Sequence, residues 1–416
     1  MTYVNQIDRA YLIPQEDGGY FPMSVFGSIR LAEPLPAESL RTALLCLIDS
    51  VYAIDQVLDL DTWRWYAAAD REAYVDTILT LDEAADDPNW VGEQVQSNAP
   101  LLPRPLQITL GREWLHIKMH HSFGDGRFLS SLMSALLAET HAPGVCDLPP
   151  AAQTAKVWRV VWSSPGMAWR TFSGMVRSMG EMMGDYQRDT KAMVSEDREP
   201  IRDGSPMAVR HVCLPPEVMA RWKQARGKVT LNTYLQAHLG LVLHQLDYVE
   251  APITYTIPVD LRRYLPEDTP LRRGNLSSQI RVTRPETEMD ALCAALQREI
   301  DHKLETAAPL HGLPGEWLFN LAGKRAYERI NRDWLLKSTY NDPRFFVLSN
   351  VGRIDSLFNP AQVREIYFTT PLMGAPPLVI NFTSYRGQAQ MTFTYDPVIL
   401  ADDAIDRILE AVICAG

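Results

Sequence analysis

The stretch His120-His121-Ser122-Phe123-Gly124-Asp125-Gly126, set in LHIKMHHSFGDGRFLSSLM, decides how the rest of the chain is read. Side chains alternate between the two faces of a strand. In a strand over residues 115–121, Leu115, Ile117, Met119 and His121 share one face. Trp114, His116, Lys118 and His120 fall on the other, more polar face. His121 alone interrupts the apolar face, so it is expected to point inward, where an imidazole has to be hydrogen-bonded or chemically useful. A buried neutral imidazole that titrates near neutrality is a good general base. It can take a proton from a hydroxyl or amine attacking a thioester carbonyl and return it to the departing thiol. Asp125 has two readings: an N-cap for a helix beginning near Gly126, or a partner for an arginine elsewhere. Gly124 and Gly126 permit a tight turn and close approach of backbone to a ligand. A metal set of His120, His121 and Asp125 fits poorly, because adjacent strand residues cannot easily converge on one ion.

Around this motif, 416 residues exceed one ordinary hydrophobic core and favour two domains. Hydrophobic content of 46% and charged content of 22% are those of a soluble globular protein. No apolar run is long enough to cross a bilayer, and the N-terminus has no basic segment followed by an apolar one, so a signal peptide is not expected. The five cysteines (Cys46, Cys146, Cys213, Cys293 and Cys414) are scattered without a CxxC pair. They read as reduced thiols in a cytoplasmic protein. A formal charge of −11 argues against nucleic-acid binding and supplies no overall attraction to an acidic carrier protein.

Residues 1–150 read as mixed α/β. FPMSVFGSIRL and DTWRWYAAA are predicted strands, and PAESLRTALLCLIDSVY is a predicted helix with Leu40, Ala43, Leu44, Leu47, Ile48 and Val51 on one stripe. Gly111-Arg112 suits a two-residue hairpin ahead of the motif, and RFLSSLMSALLAE follows it as a helix. Residues 151–205 form a connector with a helical segment rich in tryptophan and methionine, including Trp158, Trp162, Trp169, Met175, Met179, Met182 and Met183. Residues 206–416 begin a second α/β unit, with MAVRHVCL, APITYTIPVD and RFFVLSNVGRID as strands, the last breaking at Ser349-Asn350. A hairpin turning at Arg386-Gly387 and a short helix close the chain. The mixed order of elements points to α/β layers with mixed or antiparallel sheets.

The intact HHxxxDG pattern resembles the superfamily of condensation domains and CoA-dependent acyltransferases, which includes free-standing condensation enzymes, polyketide-associated and alcohol acyltransferases, and wax ester synthase/diacylglycerol acyltransferases. TIPVDLRRYL, RRGNLSS, FFVLSNVGR and LVINFTSYRGQAQMTFTYDP agree with that family in order and spacing. The resemblance implies two chloramphenicol-acetyltransferase-like domains in a V with a central substrate tunnel. It implies that His121 is the catalytic base, that Asp125 braces the motif through a salt bridge to Arg262, and that Gly126 keeps the tunnel open; His120 supports the strand. No permanent cofactor is implied, only acyl-CoA or a phosphopantetheinyl carrier thioester as co-substrate, with a small alcohol or amine as acceptor. An acyl or peptidyl carrier protein is then a possible partner. Two further readings stay open: a condensation enzyme acting strictly on carrier-bound substrates, and a non-catalytic scaffold that retains the fold.

Weaker features have bland alternatives. Ser349 and Asn350 could contact substrate or a developing oxyanion, or simply form a strand-end turn. Asn275 could position a loop. The tryptophan- and methionine-rich connector reads first as a helix buried against the domains, and second as a chain-entry or membrane-surface element. Lys324, Arg325, Arg329, Arg332 and Lys337 read as a solvated helix face before a docking face. His116 and His211 receive no role.

Overall fold

The computed structural model describes residues 2–3, 12, 23–50, 52–97, 99–141, 165–176, 206–249, 251–264, 275–311, 324–326, 328–329, 345–372 and 378–414. In chain order these form β1 (Thr2–Tyr3), β2 (Ser24–Leu31), α1 (Ala37–Ile48), β3 (Gln56–Asp59), β4 (Arg64–Ala67), α2 (Arg71–Ile78), β5 (Leu79–Leu81), α3 (Trp90–Ser97), β6 (Leu106–Leu110), β7 (Trp114–His120) and α4 (Gly126–His141). A helix over residues 165–176 is α5. The second half supplies β8 (Ala208–Leu214), α6 (Pro216–Ala225), α7 (Leu231–Gln245), β9 (Ile253–Asp260), β10 (Ser277–Arg284), α8 (Met289–Glu305), β11 (Phe345–Arg353), β12 (Val363–Thr369), β13 (Leu378–Tyr385), β14 (Gln388–Tyr395) and α9 (Asp402–Cys414).

Each half builds a layered α/β unit. The first sheet has the order β12-β2-β7-β6-β5 and the second β10-β9-β11-β13-β14-β8. Both are mixed: β5 runs parallel to β6, and β11 runs parallel to both β9 and β13, within otherwise antiparallel ladders. The helical stripe of α1 buries Leu40, Ala43, Leu44, Leu47 and Ile48, as its spacing requires. These meet Phe128, Leu132 and Leu136 of α4 over the apolar face of β7, carried by Leu115, Ile117 and Met119. In the second unit Trp222, Leu235, Leu296 and Ile408 cover Ile257, Leu348, Ile380 and Phe393 in the same way. Each fully covered large side chain contributes roughly 1.5–3 kcal/mol.

The division at residue 206 does not separate the sheets. β12 pairs antiparallel with β2, joining Ile366 to Ile29 and Phe368 to Gly27, so a strand of the second half forms the edge of the first sheet. Val363, Ile366 and Phe368 are buried in the first core, and the Tyr385 hydroxyl donates to the Val363 carbonyl at 3.1 Å. Other differences are local. The loop between β6 and β7 has three residues, Gly111 to Glu113, because the Asp86 carboxylate accepts from the backbone N–H groups of Arg112, Glu113 and Trp114 at 2.8, 2.8 and 3.1 Å. β11 does not break at Ser349-Asn350 but bulges between Asn350 and Gly352, with Gly352 at a φ of +90°. The hairpin at Arg386-Gly387 has positive φ at both residues, 52° and 73°.

The polar face of β7 is not a wet face. His116, Lys118 and His120 are all buried, together with Ser24 and Ser28 of β2. His116 lies between the rings of Trp90 and Trp114, at 4.6 and 5.7 Å. Its Nε2 faces the Ala85 carbonyl and its Nδ1 the Ser28 hydroxyl, both at 2.9 Å, which satisfies a neutral ring. The Lys118 ammonium donates to the Ala99 carbonyl at 2.7 Å. Burial pushes the pKa of His116 down to about 4 against the Ala85 hydrogen bond, and that of His211, whose ring packs on Tyr367 at 4.8 Å, also to about 4.

A base with a depressed native pKa binds its proton more readily in the unfolded chain. Stability is therefore complete above the unfolded value near 6.5 and falls as pH drops from there toward 4, by about 3 kcal/mol for His116 alone. Urea unfolding at a series of pH values should show this acid loss, and His116→Gln should flatten it.

Part of the connector is described. In α5 Thr171 is buried while Trp169 is 72% exposed, so its tryptophan is not packed away as expected. Trp158, Trp162, Met179, Met182 and Met183 lie outside the described residues. Lys324 is not a free docking charge: its ammonium donates to the Leu60 carbonyl and lies 3.6 Å from Glu328. Arg332 and Lys337 lie outside the described residues.

Candidate active site

β7 ends at His120, and the chain turns at once into α4. His121 therefore sits just past the strand, although its N–H still donates to the Met23 carbonyl at 2.6 Å and continues the ladder with β2. His120 braces the turn: its Nδ1 lies 2.8 Å from the Ser122 hydroxyl and receives the Ser122 N–H at 3.2 Å. Phe123 anchors the loop in the first core, edge-on to Trp65 and Phe128 at 5.6 and 5.7 Å. That packing explains Gly124. A Cβ there would lie 2.3 Å from Phe128 Cδ1, so Gly124→Ala should cost about 1–3 kcal/mol as a drop in the thermal midpoint. Gly126 is less confined, since a Cβ would meet Val351 of β11 at an ordinary 3.7 Å.

Asp125 does both things the sequence left open. Its Oδ1 accepts the Phe128 N–H at 2.9 Å as the N-cap of α4. Its Oδ2 lies 2.8 Å from Arg262 Nη1, and Arg262 Nη2 reaches Oδ1 at 3.3 Å. The Leu276 N–H also donates to Oδ2 at 2.8 Å. Both carboxylate oxygens are thus engaged by protein groups, which argues against the metal set of His120, His121 and Asp125.

Arg127 supplies the return half of the arrangement. It reaches Asp260 at 2.8 Å, while Asp260 also holds Arg262 at 3.1 Å. Two Asp-x-Arg segments, Asp125 with Arg127 and Asp260 with Arg262, cross-pair between the two halves of the chain. Burial opposes the Arg262 charge, but Asp125 and Asp260 outweigh it and hold the guanidinium above its ordinary pKa. A cleft of about 610 Å³ opens beside this cross, lined by Arg127, Asn232, Asp260, Arg262, Arg263 and Asp301 among others.

His121 meets the second half through Asn275. Asn275 Nδ2 lies 2.9 Å from His121 Nδ1 and 3.5 Å from the His121 carbonyl oxygen. Burial holds the His121 pKa below its ordinary value, with Asp125 and the residue's own carbonyl opposing the shift. Sequence reasoning gave Asn275 no more than a loop role; the one signal available was its place inside the family-like stretch RRGNLSS. Ser349 and Asn350 lie on the strand that passes Gly126, but Asn350 is locally committed. Its Oδ1 accepts the Gly352 N–H at 2.8 Å and its Nδ2 donates to Asn232 at 3.1 Å.

No family model and no curated protein matches this sequence. Solved structures do. The first condensation domain of the CDA synthetase aligns over 99% of this chain and 94% of its own, with a TM-score of 0.65 at 16% identity. This is the condensation-domain fold. The trichothecene 15-O-acetyltransferase of Fusarium sporotrichioides aligns over 99% of this chain and 94% of its own, with a TM-score of 0.65 at 13% identity. The polyketide synthase associated protein 5 of Mycobacterium tuberculosis covers 99% and 98%, with a TM-score of 0.62 at 15% identity. Within the condensation-domain fold of this chain, the HHxxxDG residues stand at the strand-to-helix junction where the two halves touch. Among the described residues no helix is long and apolar enough to cross a membrane, and no group of three or more histidine, cysteine, aspartate or glutamate side chains could hold a metal ion.

Proposed function

We propose that the chain is an acyltransferase that moves an acyl group from a CoA or carrier-protein thioester to a hydroxyl or amine, with His121 as general base. The observation that carries this reading is the place of His121, on a turn tied across the molecule by Asp125 and Arg262, with Asn275 of the second half 2.9 Å from its ring. The acceptor's proton passes to His121 Nε2 as its oxygen or nitrogen bonds to the thioester carbon. The tetrahedral adduct collapses by breaking the carbon–sulfur bond, and the proton returns to the thiolate. Nothing in this sequence of steps needs a protein nucleophile or a permanent cofactor. His120, Asp125, Gly126 and Arg262 serve the geometry, and Ser349 on β11 is a candidate substrate contact. Free thiols at Cys46, Cys213, Cys293 and Cys414 fit a reducing cytoplasm.

A screen of acyl-CoA and acyl-carrier donors against amines and alcohols, read by intact mass, tests the class and separates CoA from carrier dependence. Product with CoA donors supports an acyltransferase; product with carrier donors alone supports a condensation enzyme. Donor binding without turnover in any combination supports a scaffold.

A further inference from the structure

In a helix on a protein surface the apolar stripe normally faces the core. α5 is turned the other way round. Its inward residues are Thr171 and Gly174, both buried, and Gly174 lies so close to the His311 ring that a Cβ there would clash with it. Its outward face carries Trp169 and Val176, 72% and 69% exposed, with exposed Ser173 between them. These three fall at i, i+4 and i+7 and make one continuous stripe. The serine does not make the stripe polar, because its hydroxyl donates to the Trp169 carbonyl at 2.6 Å. Arg170 stands exposed beside the stripe and enters no ion pair among the described residues. The local charge is as unusual as the pattern. Residues 148–180 contain Lys156, Arg159, Arg170 and Arg177 and no aspartate or glutamate, although 51 of the 416 residues are acidic. Trp158, Trp162 and Trp169, three of the ten tryptophans, fall in the same stretch.

We propose that the outward face of α5, Trp169, Ser173 and Val176 with Arg170 at its edge, is a docking surface for an anionic phospholipid bilayer. The indole and valine side chains enter the headgroup boundary, and the arginine extends its charge to the lipid phosphates while its stem stays in apolar surroundings. The contact is peripheral, since no described helix is long and apolar enough to cross a membrane. With a formal charge of −11 the chain as a whole is repelled by an anionic surface, so attraction has to come from a local basic region, which Arg170 supplies on this helix. A protein partner fits less well. Protein interfaces carry about one hydrogen bond per 100–200 Å². This face has turned its serine back on the helix and offers only the Arg170 guanidinium and the Trp169 indole as donors, with no side-chain acceptor. A lipid surface needs only apolar side chains and positive charge. This inference is independent of the acyl-transfer reading.

The test uses the full chain and co-sedimentation with vesicles, either of phosphatidylcholine alone or of phosphatidylcholine and phosphatidylglycerol in equal parts. Wild type should pellet with the mixed vesicles at low salt, stay in solution with phosphatidylcholine alone, and bind less as salt is raised. Trp169→Ser combined with Val176→Ser should weaken binding about tenfold or more, because both apolar insertions are lost. Arg170→Glu, which reverses one charge, should also weaken it about tenfold or more. Leu81→Ser removes an exposed apolar side chain at the edge of the first sheet and should bind like wild type. All of these positions are exposed, and unchanged circular dichroism and thermal midpoints show that each variant is folded. Arg170→Glu decides the matter where the double variant is not. Wild type that ignores the mixed vesicles or pellets equally with phosphatidylcholine alone overturns the proposal. So do α5 variants that bind as tightly as wild type, or an equal loss in Leu81→Ser. Capture of a phosphopantetheinyl carrier protein that is lost in the α5 variants, without vesicle binding, assigns the face to a protein and overturns it too.

Discussion

Arg262→Ala should lower the unfolding free energy by about 3–5 kcal/mol, the loss typical when one partner of a buried ion pair is removed. Asp125 has 5% side-chain exposure and Arg262 17%, so solvent cannot easily replace the missing guanidinium. The Asp125 carboxylate would keep its bonds from the Phe128 and Leu276 N–H groups but would carry an unpaired charge. Adding Asp125→Asn to Arg262→Ala removes that charge while keeping an N-cap oxygen, so the double variant should regain part of the loss. Urea unfolding of the two variants checks both statements. Equal destabilisation of the single and double variants would show that lost packing, not the stranded charge, sets the cost. Transfer activity should fall in Arg262→Ala too, because the turn bearing His121 is held on this pair.

The second large effect is chemical. His121→Ala should reduce acyl transfer about 10²–10⁴-fold, the usual contribution of a positioned general base, while the protein remains folded. His120→Ala should weaken the protein mainly through the turn, since the ring it removes is buried and bound to Ser122. The contrast between neighbouring histidines separates a role in chemistry from a role in packing.

Much of the fold could be read from local pattern. The α1 stripe, the apolar face of β7 and the Arg386-Gly387 hairpin each state their structure within a few residues. β12 could not be placed that way. VREIYFT shows that a strand can form there, but nothing local says that its partner is β2, more than three hundred residues earlier in the chain. The alternation along β7 correctly separated His116, Lys118 and His120 from the apolar face. It could not show that the second face is covered as well, because periodicity reports polarity and not what packs above it.

The site divides along the same line. The motif and the pairing of Asp125 with Arg262 came from pattern and resemblance, and the distance of 2.8 Å places those two groups together. Arg127 with Asp260 and His121 with Asn275 are contacts between residues 133 and 154 positions apart, made by single side chains of types common on any surface. Only the folded chain brings them together. The expected break at Ser349-Asn350 failed for a related reason: a bulge closed by the asparagine's own side chain keeps β11 continuous beside the motif.

The proposed mechanism is a direct attack by the acceptor on the thioester, with His121 as general base and no acyl-enzyme. The decisive measurement is intact mass spectrometry of single-turnover reactions, with the donor and acceptor pair found by screening, for wild type and His121→Ala. The expected result is acylated acceptor from wild type with the protein mass unchanged throughout, and product lost in His121→Ala. A protein that gains the acyl mass before product forms, or a His121→Ala variant that turns over like wild type, would contradict it.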